Sequence, residues 1–344
     1  MKIIEKNGTK NKIKKRLIYK RKNIINYKKF NFNRKYSKAK YSIKKGKKNG
    51  LLKNIIKLVI IFCFTFFYLI LISVSFKKIF HYGLKEYPND EITLVTALFQ
   101  LATPRHKFED YFIWLDNLLK INRSIVFFMS KNLSEIIKSK RPTKYENKTI
   151  WIEKEFSELY FYRYKKEFEK TYLIDGGKER HNVNLFILWN EKMKFLEKAI
   201  NENYFKSKYF FWIDAGYFRE NDISKYINNW PSINKCNQDP KVILNEIRQI
   251  SKEEFDKLMS FDKETHNKFM NDYNIAGGAY GGRADYLIKF INYYYEVFKL
   301  FMEKEKFIGS EQNLLTITSY LHPETTTRIY TKDFQFLKKY YFEK

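Results

Sequence analysis

The chain carries the sequence YFFWIDAG at residues 209–216. An unbroken apolar run of this kind is typical of a strand that is buried on both faces, and such strands belong to parallel sheets covered by helices. Asp214 follows the run directly, so its carboxylate should lie at the carboxyl edge of the sheet, where open α/β sheets bind ligands. A hard divalent cation prefers carboxylate oxygen, and the small residues Ala215 and Gly216 would let a diphosphate approach the backbone. The plainer interpretation is an aspartate that caps the turn after a strand.

Strand and helix patterns alternate on both sides of this run. Apolar, β-branched segments alternate with segments whose apolar residues recur at helical spacing, which predicts an α/β fold with a mainly parallel sheet covered by helices. No long polar linker divides residues 91–344, which are predicted to form one domain, and residues 217–272 are polar and helix-leaning. Strands are predicted at 92–99, 124–129, 149–152, 209–213 and 325–330, and helices at 108–121, 185–203, 284–304 and 312–320.

Four glycines lie within six positions of the segment NIAGGAYGG, residues 274–282. Glycine loses more conformational entropy on folding than any other residue, so this composition argues against a regular core element. In a binding site, Gly277 and Gly278 would let a sugar or an acceptor lie against bare backbone. The alternative is a pair of tight turns that need glycine for their backbone angles.

A third signal lies at the start of the predicted helix 312–320. The sequence GSEQN at residues 309–313 places Glu311 and the amide side chain of Gln312 where a helix has free N–H groups and the positive end of its dipole. Ser310 as a helix N-cap explains the serine but not the Glu-Gln pair.

Several catalytic motifs are absent from the sequence. It has no GxxxxGK[ST] phosphate loop, no HExxH, no CxxC pair and no GxSxG elbow. The five histidines are scattered without metal-ligand spacing, and the two cysteines, Cys63 and Cys236, exclude a disulfide scaffold and a multi-cysteine zinc ribbon. Hydrolase, kinase and zinc-enzyme functions therefore have no support in the sequence.

Positive charge is concentrated at the N-terminus. Of the 66 Lys and Arg residues, 20 lie in residues 1–50 beside a single acid, so this segment carries about +19 of the net charge of +28. The other 294 residues are only mildly basic. We interpret residues 1–57 as a basic cytosolic tail that sets membrane topology and attracts anionic lipid. RNA binding is the weaker interpretation, because the tail shows no repeat and no RNA-module signature.

Residues 58–76 read LVIIFCFTFFYLILISVSF, 19 residues without a charge. As a helix this run would be about 28 Å long, close to the roughly 30 Å hydrocarbon core of a bilayer and too long for the apolar region of a signal peptide. The excess of Lys and Arg before the run places the N-terminus in the cytosol. The sequence thus predicts a single-pass type II membrane protein of the Golgi or endoplasmic reticulum, with a short stem at 77–90 and a lumenal domain at 91–344.

Five segments of the lumenal part together resemble a known family. They are VTALF at 95–99, WNEK at 189–192, WIDAG at 212–216, IAGGAYGG at 275–282 and SEQNLL at 310–315. Over roughly residues 91–335 the chain resembles the HtrL/WlaTC-type (YibB-like) glycosyltransferases. This resemblance implies a GT-A-like, Rossmann-type fold that binds a nucleotide-sugar.

The resemblance also implies a reaction and a set of site residues. A sugar would pass from a nucleoside-diphosphate sugar to a hydroxyl of a glycan, protein or lipid acceptor. The resemblance places Glu311 near the reacting centre; the sequence leaves inversion and retention open, and Glu311 is the candidate base if the transfer inverts. Mn²⁺ or Mg²⁺ held by Asp214, with His322 or another carboxylate, would neutralise the leaving diphosphate. Lys192 together with Arg105 could neutralise the leaving diphosphate instead. The implied substrate-binding residues are Thr96, Ala97, Arg105, Lys192, Gly277, Gly278 and Gln312.

Two other functions stay open. Many metal-dependent relatives of the fold carry Asp-x-Asp at the strand end, and Gly216 replaces the second Asp here. A catalytically inactive lumenal binding protein on the same fold is therefore one alternative. A membrane-tethered nucleic-acid-binding protein is the other, and it is disfavoured because the basic tail and the lumenal domain would lie on opposite sides of the membrane. We expect no nucleic-acid partner.

Overall fold

The computed structural model describes residues 87–101, 107–228, 230–261 and 274–342, together with three isolated positions before residue 87. Within these residues the strands form one seven-stranded sheet. The strands are Ile92–Leu98 (β1), Ser124–Met129 (β2), Thr149–Glu153 (β3), Tyr209–Ile213 (β4), Val242–Glu246 (β5), Ala279–Arg283 (β6) and Thr326–Tyr330 (β7).

The strands lie in the order β3-β2-β1-β4-β6-β5-β7. Neighbouring strands pair in parallel except at β6, which is antiparallel to both β4 and β5. The chain runs from β1 outward to β2 and β3 and then returns to place β4 on the other side of β1. The carboxyl ends of β1 and β4 therefore flank the point where the strand order reverses, which is where open α/β sheets bind ligands.

Helices connect the strands. In the described part of the chain the α-helices are Phe108–Leu119 (α1), Ser134–Ser139 (α2), Lys165–Leu173 (α3), Val183–Glu202 (α4), Ile233–Gln238 (α5), Lys252–Met259 (α6), Ala284–Glu303 (α7), Glu311–Leu321 (α8) and Phe336–Tyr340 (α9). Short 3₁₀ helices lie at Lys131–Leu133, Thr143–Lys148, Phe156–Glu158, Tyr160–Tyr164 and Ser224–Tyr226.

The sheet separates two apolar layers. Phe210 and Trp212 of β4 pack in a cluster with side chains of α4, α7 and α8. Phe211 and Ile213, on the other face, pack in a cluster with side chains of α1. Every residue of β4 is buried, which explains why its sequence is apolar throughout. The predicted α/β fold, with a mainly parallel sheet covered by helices, is confirmed.

Two strands differ from the prediction. β5 lies in the segment interpreted as polar and helix-leaning, and β6 contains Gly281 and Gly282. A Cβ atom at Gly281 would overlap the carbonyl oxygen of Phe210 and the side chain of Phe211. The expectation that the glycines exclude a regular core element was wrong, because β6 needs bare backbone to lie against β4. No glycine of the described residues has a positive φ angle, so the tight-turn interpretation does not hold either.

The segment Glu86–Lys344 forms one compact unit. The predicted tail at 1–57 lies outside the described residues, as do most of the predicted span at 58–76 and most of the stem. Among the residues that are described, no helix is both long and apolar enough to cross a membrane.

Candidate functional site

A cavity of about 630 Å³ opens at the carboxyl edge of the sheet, where β1 and β4 end. Its walls are the residues after these two strands, the glycines before β6, the first turn of α8 and one side of α4. The volume falls within the range of small-molecule sites. The polar and aromatic lining includes Trp189, Lys192, Asp214, Arg219, Glu311 and Gln312.

The Lys192 ammonium group links four parts of the wall. Its Nζ atom lies 3.0 Å from Oδ1 of Asp214 and 2.7 Å from Oε1 of Glu311. It also donates to the carbonyl oxygen of Gly277 at 3.0 Å. The side chains of Lys192 and Glu311 are almost fully buried, whereas that of Asp214 is 42% exposed. One buried cation thus joins α4, the end of β4, the glycine segment and the start of α8.

The charges of this cluster stabilise one another. Burial lowers the pKa of Lys192, but the carboxylates of Asp214 and Glu311 outweigh burial and raise that pKa to about 12. Burial also raises the pKa of Glu311, against the opposing effect of Lys192. Lys192 is therefore charged at neutral pH, and Glu311 binds a proton more tightly than an exposed glutamate does.

Buried polar contacts set the orientation of α4. Asn190 donates its side-chain amide to the carbonyl oxygen of Gly309 at 3.3 Å, two residues before α8 begins. Glu191 accepts from the backbone N–H of Phe161 at 2.9 Å, and burial raises its pKa to about 7. These two neighbours fix the rotation of the helix that directs Lys192 toward the first turn of α8.

Asp214 is held through its backbone and its side chain. Its N–H donates to the carbonyl oxygen of Gly278 at 2.8 Å, and Nε1 of Trp212 donates to Oδ1 at 2.7 Å. Lys192 contacts the same Oδ1 atom. Oδ2 has no hydrogen-bond partner within the described part of the chain. The carboxylate therefore lies at the sheet edge as the sequence predicts, with one oxygen engaged and one available to a ligand.

Gly277 and Gly278 have different surroundings. A Cβ atom at Gly277 would overlap Oε1 of Glu311. A Cβ atom at Gly278 would lie 3.6 Å from Tyr217 and 3.7 Å from Oδ2 of Asp214, which is ordinary van der Waals contact. Gly277 therefore makes room for the ion-paired glutamate, whereas Gly278 lies in van der Waals range of Tyr217 and of the exposed carboxylate, with room for a methyl group.

The glycine of the WIDAG segment serves the packing of α1. A Cβ atom at Gly216 would lie 2.9 Å from Cε3 of Trp114, a residue of α1. The face of Gly216 that would carry a side chain is thus covered by an indole ring. Gly216 also lines the cavity, and the approach of a diphosphate to its backbone stays a prediction.

Of the remaining predicted site residues, some line the cavity and others do not. Ala97 and Gln312 line the cavity. Thr96 is fully buried in β1 and does not belong to the lining. His322 follows α8 at the end away from the cavity, and an 11-residue helix separates it from the first turn, which is about 16 Å at 1.5 Å per residue. The structure therefore does not bring His322 to the proposed metal position. Arg105 lies outside the described residues.

The carboxylates do not form a complete metal site on their own. Among the described residues no group of three or more His, Cys, Asp and Glu side chains could hold a metal ion. Lys192 contacts both Oδ1 of Asp214 and Oε1 of Glu311. The free Oδ2 atom of Asp214 fits a cation that arrives with phosphate groups, because Mg²⁺ is commonly held by one or two carboxylates together with phosphate oxygens.

Several lining residues were not identified from the sequence as site residues, among them Trp189 and Arg219. Trp189 lies one helical turn before Lys192 on α4, and this i, i+3 spacing is a signal that could have placed both on one face. Arg219 follows Asp214 by five residues, and no local pattern marks it. Its position depends on contacts with α1, which is about 100 residues away in the sequence.

Comparison with known proteins identifies the family. Residues 90–341 match the family described as "Bacterial protein of unknown function (HtrL_YibB)". The chain belongs to the HtrL_YibB family. The predicted family is therefore confirmed, and the transferase activity stays a prediction.

The HtrL_YibB domain is also similar to solved structures. One of them is core-mannan synthase A (CmsA/Ktr4) from Aspergillus fumigatus in its Mn/GDP form, with a TM-score of 0.43 and 10% sequence identity. The alignment covers 70% of this chain and 73% of that chain. No curated protein matches the chain.

Alanine substitutions at the two neighbouring glycines should separate their roles. Gly277→Ala should lower the free energy of unfolding by about 1–3 kcal/mol, because the new methyl group displaces Glu311 from Lys192 and overpacks a buried site. Gly278→Ala should change it by about 1 kcal/mol or less, since the methyl group fits. Urea unfolding of both variants measures the difference. Equal losses of unfolding free energy in the two variants would show that Glu311 can move without disturbing the buried ion pair.

Proposed function

We propose that the chain is a glycosyltransferase that binds a nucleoside-diphosphate sugar in this cavity and transfers the sugar to a hydroxyl acceptor. The observation that carries the proposal is the Lys192 cluster at the reversal of the strand order. It places an exposed carboxylate, a buried carboxylate with a raised pKa and a stretch of bare backbone around one cavity. The exposed carboxylate suits a donor whose diphosphate arrives with a cation, and the bare backbone suits a polar sugar.

The exposed side of the cluster would bind the donor. Oδ2 of Asp214 is available beside Gly278, which has no side chain of its own and lines the cavity with Tyr217. When bound, a divalent cation would supply positive charge to the diphosphate, and Asp214 is the residue of this chain that would hold it. Lys192 keeps the Asp214 carboxylate in position through Oδ1.

The buried side of the cluster would serve the acceptor. In an inverting transfer the acceptor oxygen forms a bond to the anomeric carbon while the bond from that carbon to the diphosphate oxygen breaks. The acceptor proton must then pass to a base. Glu311 lines the cavity and has a raised pKa, which suits a base at neutral pH.

A neighbouring cavity offers room for the nucleoside. It has a volume of about 480 Å³ and lies beyond the carboxyl ends of β1, β2 and β3. It shares Phe99, Leu101 and Phe108 with the main cavity. A donor could therefore extend from one cavity to the other, with its diphosphate near Asp214.

Removing the charge of Asp214 should impair transfer without unfolding the protein. In Asp214→Asn the side-chain oxygen can still accept from Trp212 and Lys192. We therefore expect a stable variant whose transfer rate is lower by roughly 100-fold or more, the scale of one lost preorganised electrostatic contact. The measurement is sugar transfer or donor hydrolysis by the purified full-length chain.

Asp222→Asn is the matched control, because Asp222 is an exposed acid on the segment after β4 and binds the backbone N–H of Ser224. Its rate should stay close to wild type. Full activity in Asp214→Asn would contradict the proposal. Donor binding without turnover in the wild-type chain would favour the inactive binding protein.

We also propose that residues 58–76 anchor the chain with residues 78–344 on the non-cytosolic side, which in a eukaryotic cell is the lumen of the Golgi or endoplasmic reticulum. The support is the uncharged run of 19 residues and the basic segment before it. A tag at the C-terminus should resist protease in sealed vesicles whose cytosolic face is outward, and should be cleaved after detergent is added. Cleavage without detergent would reject this topology.

A further inference from the structure

Arg219 lies at the cavity wall in a fixed position. Its Nε atom donates to the carbonyl oxygen of Gly216 at 2.8 Å, and its guanidinium carbon lies 4.3 Å from the centre of the Trp114 ring. The side chain is exposed and lines the cavity that also contains Asp214. The indole ring thus covers one face of the guanidinium, and the carbonyl group holds its Nε edge.

The backbone around Arg219 is held from both sides. The side-chain amide of Asn117 donates to the carbonyl oxygens of Phe218 and Glu220, at 3.2 and 2.9 Å. The Glu220 carboxylate forms an ion pair with Lys338, whose side chain is buried. The arginine is therefore presented on a segment that is fixed before any ligand arrives, which reduces the entropy lost on binding.

Arg219 differs from the other cations of the cavity. Lys192 is neutralised by Asp214 and Glu311. Arg180 is paired with its neighbour Glu179 at 2.9 Å. Arg219 has no carboxylate partner among the residues that the structure describes. Among the lining residues that the structure describes, its positive charge is thus the one that a ligand would meet without competing with an acid.

We infer that Arg219 binds the diphosphate group of the donor. Its terminal Nη1 and Nη2 groups remain for two parallel hydrogen bonds to phosphate oxygens, a geometry that a planar guanidinium provides and an ammonium does not. The inference rests on the proposed function, and it makes Arg219 rather than Lys192 the protein cation that contacts the leaving group. Lys192 then acts on the donor only by positioning Asp214 and Glu311.

The chain contains a matched control for this residue. Arg163 has the same local arrangement: its Nε donates to the Tyr160 carbonyl oxygen at 3.0 Å, and its guanidinium carbon lies 4.0 Å from the Tyr160 ring centre. Arg163 is exposed and does not line the cavity. Substituting it removes the same charge and the same kind of stacking from a place where no donor should bind.

The test is calorimetric titration of the full-length chain, in detergent and with Mn²⁺ present, with a panel of nucleoside diphosphates and with inorganic pyrophosphate. Arg219→Gln should raise the dissociation constants for pyrophosphate and for the preferred nucleoside diphosphate by roughly tenfold or more, the effect of losing charge-assisted hydrogen bonds. Arg163→Gln should leave both within about twofold of wild type, as surface substitutions do.

Each outcome bears on a separate claim. If the wild-type chain binds a nucleoside diphosphate and Arg219→Gln binds it equally well, the role of Arg219 is overturned and the proposed function stands. If the wild-type chain binds neither pyrophosphate nor any nucleoside diphosphate, both are rejected. If thermal melting shows that Arg219→Gln is unfolded, the same titrations of the Arg219→Lys variant test the role of Arg219. It keeps the charge but loses the paired donors, so binding should weaken severalfold, and unchanged binding would overturn the inference.

Discussion

The Lys192 ammonium group is the constraint on which the cavity depends. Removing an ammonium group from water is unfavourable by several kcal/mol unless partners compensate for it. The chain supplies Asp214, Glu311 and the Gly277 carbonyl oxygen, which come from the end of β4, the start of α8 and the glycine segment. The contacts that neutralise the lysine therefore also fix the walls of the cavity relative to one another. Binding geometry and core stability depend on the same few atoms.

Much of the fold could be predicted from the sequence because its central strands are buried on both faces. β1, β2 and β4 are mainly apolar runs, and the structure begins and ends them within one residue of the predicted bounds. β6 could not be recognised in this way. Its Gly281 and Gly282 are required by the close approach of β4 and of Lys241, and that requirement appears only once the partner strands are in place.

The candidate site was predictable where a residue's position follows from its own element. Asp214 directly follows a strand, so the pattern alone assigned it to the ligand-binding edge of the sheet. Glu311 begins a helix, and the family resemblance implied its place near the reacting centre. Arg219 and the packing role of Gly216 depend on Trp114, which reaches them from a helix about 100 residues earlier. His322 was misplaced for a related reason: it is near Glu311 in the sequence, but the length of α8 carries it away from the cavity.

The central claim is that the cavity around Lys192 binds and turns over a nucleoside-diphosphate sugar. The most direct measurement incubates the purified full-length chain with a panel of nucleotide-sugars, with and without Mn²⁺, and follows the release of nucleoside diphosphate. The account predicts that at least one donor is consumed, and that adding Mn²⁺ increases the rate because Asp214 has one oxygen free for a cation. Absence of release from every donor, under conditions in which the chain is folded, would contradict it.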